Sequence, residues 1–215
     1  MTDLLSTAES ALRQWPLKPT GIRQVSHSEN IVFQVDTTDS RYVLRMHRPG
    51  YHSYPALVSE HLWTSALLES GLDVPVPVQT LEGKPFGRID VNGEPRYVGV
   101  LEWVEGTTTA DLLEKGEDAP GKSRHFFALG ELLAGLHEQA SAWQPPKSFV
   151  RHALDADGLM GVTPFWGPFW QAAALAPSQQ AYFRELRLRI HRILSGLPAD
   201  PSSFSMIHAD LHPGN

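Results

Sequence analysis

The spacing of apolar residues changes character once, near Trp103, and that change limits the architecture. Before it, strand-length runs lie between turn-forming residues: Gly21–Val25, Ile31–Val35, Arg41–Met46, Arg88–Val91 and Arg96–Leu101. Asn92-Gly93 between the last two is a hairpin signal, because both residues tolerate positive φ. Val74-Pro75-Val76-Pro77-Val78 is extended, since each proline keeps its predecessor out of the α region. Two helices are expected among these strands. One spans residues 3–14, capped by Thr2 or Asp3 and stopped by Pro16; the other spans Ala56–Ser70, with Val58, Leu62 and Ala66 on one face and Gly71 at its end. Beyond Trp103 the spacing predicts helices over Thr109–Gly116, Ser123–Gln139 and Pro177–Gly196. Phe126, Phe127, Leu129, Leu133 and Leu136 mark the apolar face of the second, and Phe183, Leu186, Ile190, Ile193 and Leu197 that of the third; residues 145–168 are irregular. Strands first and helices later predict a bilobal α+β protein. Residues 1–102 form an N-lobe, an antiparallel sheet with one helix, and residues 103–215 form a mainly helical, incomplete C-lobe.

Composition narrows the function classes. The 215 residues carry 18 Lys+Arg against 24 Asp+Glu, a net charge of −6, which gives no general attraction to nucleic acid or anionic lipid. A hydrophobic share of 41% is enough for a core. There is no cysteine, hence no disulfide, thiolate nucleophile or Cys-based zinc site. Met1–Ala11 contains Asp3 and Glu9 and lacks the pattern of a secretory signal. No apolar run reaches the roughly 20 residues of a membrane helix. The expectation is a cytoplasmic protein with neither nucleic acid nor membrane as partner. The sequence stops at Asn215, directly after Pro213-Gly214, so the chain is expected to be the N-terminal part of a longer one.

The sharpest motif is His208-Ala209-Asp210-Leu211-His212-Pro213-Gly214-Asn215, after the short apolar run Phe204–Ile207. It fits the H-x-D-L-x-x-x-N spacing of a kinase catalytic loop. In that chemistry an Asp accepts or orients the proton of an attacking hydroxyl, and an Asn holds a Mg²⁺ that bridges ATP phosphates. The first lobe adds support. Alternation in Arg41-Tyr42-Val43-Leu44-Arg45-Met46 puts Val43 and Arg45 on one face. A cation there can neutralise phosphates. Glu60, on the following helix beside Trp63 and Leu67, is a candidate ion-pair partner for Arg45, because a carboxylate among apolar side chains needs a cation. The turn Ser26-His27-Ser28-Glu29-Asn30 offers hydroxyls and amides to phosphate oxygens. The backbone of Glu102 and Val104, between the lobes, can meet an adenine edge.

These segments resemble the aminoglycoside phosphotransferase and choline kinase-like family, small-molecule relatives of the protein kinases. The resemblance rests on Ser28-Glu29-Asn30-x-Val32-Phe33, Tyr42-Val43-Leu44-Arg45, Glu60, Leu101-Glu102-Trp103-Val104-Glu105-Gly106, Leu133-x-x-Leu136-His137 and His208-x-Asp210-Leu211-x-Pro213-x-Asn215, in the family's order. Residues 165–170 look more like the homoserine-kinase and stress-response-kinase branch. The resemblance implies a protein-kinase-like fold, ATP and Mg²⁺ as cofactors, and a small-molecule hydroxyl acceptor such as an aminoglycoside, amino alcohol or amino acid. By motif, Asp210 is then the base, His208 braces its loop, and Asn215 is the metal ligand. Arg45, with Glu60 as partner, serves the phosphates together with Ser28 and Asn30. Val43, Glu102 and Val104 complete the nucleotide site. Two departures stand out: Arg45 replaces the family's usual lysine, and the second metal-binding Asp that the family carries a short distance beyond the Asn is not reached by Asn215. The 215-residue piece is therefore expected to be inactive, its parent a kinase.

Three rival readings follow from the sequence. Gly116-Glu117-Asp118-Ala119-Pro120-Gly121-Lys122-Ser123 fits a P-loop. It follows a helix rather than a strand, carries two acidic residues, and loses a donor at Pro120; Gly116 and Ser123 read better as a helix end and a helix cap. His208, Asp210 and His212 fit a metal-dependent hydrolase. A kinase-shaped binding module without catalysis is the third. The run Phe165-Trp166-Gly167-Pro168-Phe169-Trp170 is expected to be a packing cluster; its alternative is an acceptor site where Trp faces, with Asp155 and Asp157 nearby, hold a cationic amine.

Overall fold

A computed structural model describes residues 3–116, 118–200 and 203–214. They fall into two compact units, Met1–Phe149 with Met206–Asn215, and Val150–Ser205. The expected metal ligand Asn215 lies outside the described residues.

The first unit is built on a six-stranded sheet with antiparallel pairing throughout. Helix α1 (Leu4–Leu12) leads into β1 (Gly21–His27), β2 (Ile31–Asp36) and β3 (Arg41–Met46). Helix α2 (Tyr54–Glu69) follows, then β4 (Pro77–Val78), β5 (Gly87–Val91) and β6 (Glu94–Glu102). The spatial order is β1-β2-β3-β6-β4, with β5 also paired to β6. The β5–β6 hairpin closes as its sequence predicts: Asn92 and Gly93 take φ of 58° and 84°.

Alternation along the strands separates two faces. Phe33, Val35, Leu44, Met46 and Val98 are fully buried, and they pack with Ala8, Ala11, Leu12 and Trp15 of α1 and its C-terminal turn. Trp15 satisfies its indole N–H on the Val78 carbonyl at 2.9 Å. The opposite face carries Val32, Arg45 and Gly99 in one cross-strand row and Gln34, Val43 and Leu101 in the next. Gly99 is buried and the other five positions are half-buried; Val43 and Arg45 among them are the ones the sequence assigns to chemistry.

Helix α2 starts on Ser53, whose side chain accepts from the Ala56 amide. Its buried residues are Ala56, Leu57, Ser59, Trp63 and Leu67. The predicted stripe of Val58, Leu62 and Ala66 is only half-buried, so the core face is turned one residue further along the helix. Trp63 and Leu67 pack with Ala140, Leu136, Trp143, Phe149 and Met206. Helix α3 (Thr109–Glu114) ends at Gly116, φ 75°. Helix α4 runs Ala119–Ala142, four residues earlier at its start than predicted. Asp118, not Ser123, is its cap, accepting from the Gly121 amide at 2.8 Å, and Pro120 sits in the first turn, where a missing N–H costs nothing. Phe126 and Phe127, expected on the apolar face of α4, are 52% and 69% exposed.

The second unit contains helix α5 (Ala156–Met160), a short 3-10 turn at Phe169–Gln171 and helix α6 (Pro177–Ser195). Within it, Arg187 donates to the Met160 carbonyl at 2.9 Å, and His191 Nε2 lies 2.9 Å from Asp157 Oδ1.

Candidate functional site

Strand β3 sets the site. Because Val43 and Arg45 lie on the face away from α1, their side chains are half-buried rather than sealed in the core. Arg45 lines a small hollow with Glu60 of α2, Asn30, Arg48, His47 and His52. The expected association of Arg45 with Glu60 therefore has a common location. Glu60 is presented there because Ser59, Trp63 and Leu67 fix the helix rotation, and the indole N–H of Trp63 donates to Gln139 of α4 at 3.2 Å. Gly99, opposite Arg45, leaves room for Phe86: a Cβ at position 99 would stand 3.0 Å from the Phe86 ring.

The turn before β2 lies at the rim of this hollow. Ser28 is exposed, and its amide donates to the Asn30 carbonyl at 3.2 Å. Asn30 is half-buried, and its Oδ1 accepts from the Arg48 amide at 3.0 Å.

Hydrogen bonding decides what Glu102 and Val104 can offer. The His47 amide bonds the Tyr97 carbonyl at 2.8 Å and the Trp103 amide bonds the Arg41 carbonyl at 3.0 Å. By the antiparallel pattern, Glu102 between them turns its amide to the other edge of β6, where it donates to Val76 at 2.8 Å. The Val104 amide has no hydrogen-bond partner among the described residues, and its side chain is exposed. Arg41 fixes this connection: it ion-pairs with Glu105 at 2.9 Å and Asp36 at 3.4 Å, and lies 5.4 Å from the centre of the Trp103 ring.

The loop His208–Gly214 belongs to the same unit. Met206, just before it, packs into the α2–α4 cluster. At its far end the Pro213 carbonyl accepts from the Ala110 amide of α3 at 2.7 Å. His208 Nδ1 accepts from the Asp210 amide at 3.3 Å, forming a local turn in which Ala209 takes φ 62°. His208 and Asp210 thus share one local turn. Both side chains are exposed.

Two of the rival readings lose their basis. The stretch Gly116–Ser123 spans the end of α3 and the first turns of α4, so Lys122 sits within a helix, not in a cradle following a strand. Residue 117 lies outside the described residues. For the hydrolase reading, His208 and His212 each direct Nδ1 to a backbone amide of their own loop. No group of three or more His, Asp or Glu side chains gathers as a metal site among the described residues. Magnesium bound with a nucleotide does not need such a cluster, since it takes one or two protein ligands plus phosphates and water.

The aromatic run in the second unit packs only in part: Trp170 is buried, Phe165 half-buried, and Trp166 and Phe169 are exposed. Trp170 is 5% exposed, and its face is covered by Arg187 at 4.8 Å. Asp155 caps α5, accepting from the Gly158 amide at 2.7 Å, and Asp157 meets His191. Trp170, Asp155 and Asp157 thus already have partners within the unit, while Trp166 is exposed. Sequence reasoning missed His47, Arg48 and His52 as lining residues; the alternation of β3, continued by one step, places His47 beside Arg45.

An antiparallel sheet with a cation on its third strand, a carboxylate on the next helix and an H-x-D loop anchored in the same unit defines the kinase-like α+β class. The chain belongs to the Phosphotransferase enzyme family, whose sequence profile matches residues 21–215. Amicoumacin kinase of Bacillus subtilis (strain 168) is 22% identical over 210 residues, covering 97% of this chain and 57% of that protein. The microcompartment-associated aminopropanol kinase superposes with a TM-score of 0.72 at 27% identity, over 92% of this chain and 59% of that one. Amicoumacin kinase hAmiN, solved with AMP-PNP, Ca²⁺ and Ami, gives a TM-score of 0.78 at 20% identity over 100% of this chain and 60% of that one. The chain therefore spans little more than half the length of these relatives. No helix among the described residues is long and apolar enough to cross a membrane.

Proposed function

We propose that the protein of which this chain is a part transfers the γ-phosphoryl group of ATP to a hydroxyl of a small molecule. Residues 1–102 act as the nucleotide lobe, and residues 103–215 begin the acceptor lobe with its catalytic loop. The observation that carries the reading is the hollow on the β3 face, which Arg45 and Glu60 both line, in the same compact unit as the anchored His208–Gly214 loop.

Each residue has a task that follows from its chemistry. Arg45 sets a fixed cation against the phosphates, and its fork can bridge two oxygens where a lysine would contact one. Glu60 orients that fork. Ser28 and Asn30 bring a hydroxyl and an amide to the same oxygens. The Val104 amide and the Glu102 carbonyl supply the donor–acceptor pair that an adenine edge requires, while Val43 gives the ring an apolar floor. Asp210 accepts the proton of the attacking hydroxyl, and His208 holds its backbone in place. Asn215, outside the described residues, would hold Mg²⁺, and the bound ion would neutralise the phosphate charge that develops in transfer. The work of the chain is thus positioning and electrostatics.

The relatives are named for amicoumacin and aminopropanol. Those names support an acceptor that carries both an amine and a hydroxyl. The test is ADP release by the longer protein against a panel of amino alcohols, aminoglycosides and amino acids. Release that depends on one acceptor and is lost in Asp210→Ala supports the reading. Acceptor-independent ADP release at the same rate in both proteins contradicts it.

A further inference from the structure

One residue outside the nucleotide motifs holds the Ser28-Glu29-Asn30 turn. The backbone amide of Arg48 donates to Asn30 Oδ1 at 3.0 Å. Its guanidinium ion-pairs with Glu29 and lies 5.6 Å from the centre of the Tyr51 ring. Arg48 therefore ties the β1–β2 turn to the connection between β3 and α2.

A second feature aims the same turn. The β1–β2 register shifts by one residue: Gln24 pairs with Phe33, but Ser26 pairs with Val32. Val25 is the extra residue of a β-bulge. A one-residue shift moves every following side chain to the other face. Ser26 thereby joins the row of Val32, Arg45 and Gly99 instead of the α1 face. Glu29 and Asn30 at the hairpin tip line the hollow with Arg45, and Arg48 is bonded to both.

We propose that Arg48 is a positioning residue for the phosphate side of the site, fixing the 28–30 turn over the hollow and neutralising Glu29. The proposal rests on the nucleotide reading above. Glu29 lines the same hollow as Arg45 and Glu60, so an unneutralised carboxylate there opposes an incoming polyphosphate. The side chains of Arg48 and Glu29 are 51% and 68% exposed, so their pairing adds little to global stability. What it sets is the place and charge of the turn.

The test is titration of Mg·ATP and, separately, adenosine into the full 215-residue chain and its variants Arg48→Ala, Arg48→Lys, Glu29→Gln and the Arg48→Ala/Glu29→Gln pair. Amide hydrogen exchange over residues 26–30 is the second readout. Arg48→Ala is expected to weaken Mg·ATP about tenfold, with adenosine unchanged and exchange at 26–30 faster. Adding Glu29→Gln is expected to recover part of the loss, and Arg48→Lys to fall between. Equal losses for ATP and adenosine, no recovery on adding Glu29→Gln, or unchanged exchange would overturn the proposal. A wild-type chain that binds Mg·ATP, loses it in Arg45→Ala and keeps it in Arg48→Ala overturns this proposal alone. A wild-type chain that binds neither nucleotide nor adenosine overturns the nucleotide reading as well.

Discussion

The amide of Ala110 donates to the carbonyl of Pro213 at 2.7 Å. Ala110 lies in the first turn of α3, where backbone N–H groups have no partner within the helix. Pro213 fills that vacancy, while the Thr108 side chain accepts from Asp111. The loop with His208 and Asp210 is thereby attached to the helix that follows the β6 connection, and Met206 fastens its other end to α2 and α4. Arg45, Glu60 and Asp210 sit on parts that brace one another within one unit.

Weakening the cap of α3 tests that attachment. Thr108→Ala should cost about 1 kcal/mol locally. In hydrogen exchange the Ala110 amide should lose protection while the Phe33 amide, in the fully buried sheet core, keeps its own. Equal loss at both positions would mean that α3 and the sheet open together.

How much of this was legible in the sequence varies from element to element. Asn92-Gly93 specified its hairpin because few residues accept two consecutive positive φ values. Alternation in β3 exposed Arg45, since only one strand face is fully sealed. The rotation of α2 was not legible: its apolar residues surround the helix, so Val58-Leu62-Ala66 and Ala56-Ser59-Trp63-Leu67 were equally good faces, and only the packing of Trp63 on α4 selects between them. The early start of α4 was hidden because Pro120 and Gly121 read as breakers, although a first turn tolerates both. The bulge at Val25 carries no glycine to mark it. Arg48, beside Pro49-Gly50, looks like any solvated turn residue until Asn30 and Glu29 are placed against it.

The close approach of Phe86 to Gly99 predicts a specific intolerance. Gly99→Ala brings a Cβ to 3.0 and 3.1 Å from two ring atoms of Phe86. Overpacking of this kind costs about 1–3 kcal/mol. Urea denaturation should show that loss for Gly99→Ala alone, and a smaller one on adding the same change to a Phe86→Leu background. Additive losses would contradict the contact.

Trp63 is the hinge of the α2–α4 cluster, 8% exposed and hydrogen-bonded to Gln139. Trp63→Ala should lower stability by about 3–5 kcal/mol in denaturant titration. A loss below about 1 kcal/mol would show that the cluster does not hold α2.

Acid should weaken the fold through His61. Burial pushes the His61 imidazole below its ordinary value, because the charged form is poorly solvated there. The unfolded chain then binds the proton more readily. The stability in question is complete above about pH 6.5 and is lost as pH falls from there through the lower folded value. The urea midpoint should fall between pH 7.5 and 5.5, and fall less in His61→Gln. An equal fall in both proteins would remove His61 as the cause.

The site itself is tested most directly by mapping amide chemical shifts of the chain as Mg·ATP is added. The result expected is a set of perturbations at Ser28–Asn30, Val43, Arg45, Val104 and His208–Gly214, with Gly116–Ser123 unmoved. Perturbations centred on Lys122 and its neighbours, with β3 and the His208–Gly214 loop silent, would contradict a nucleotide site on the β3 face.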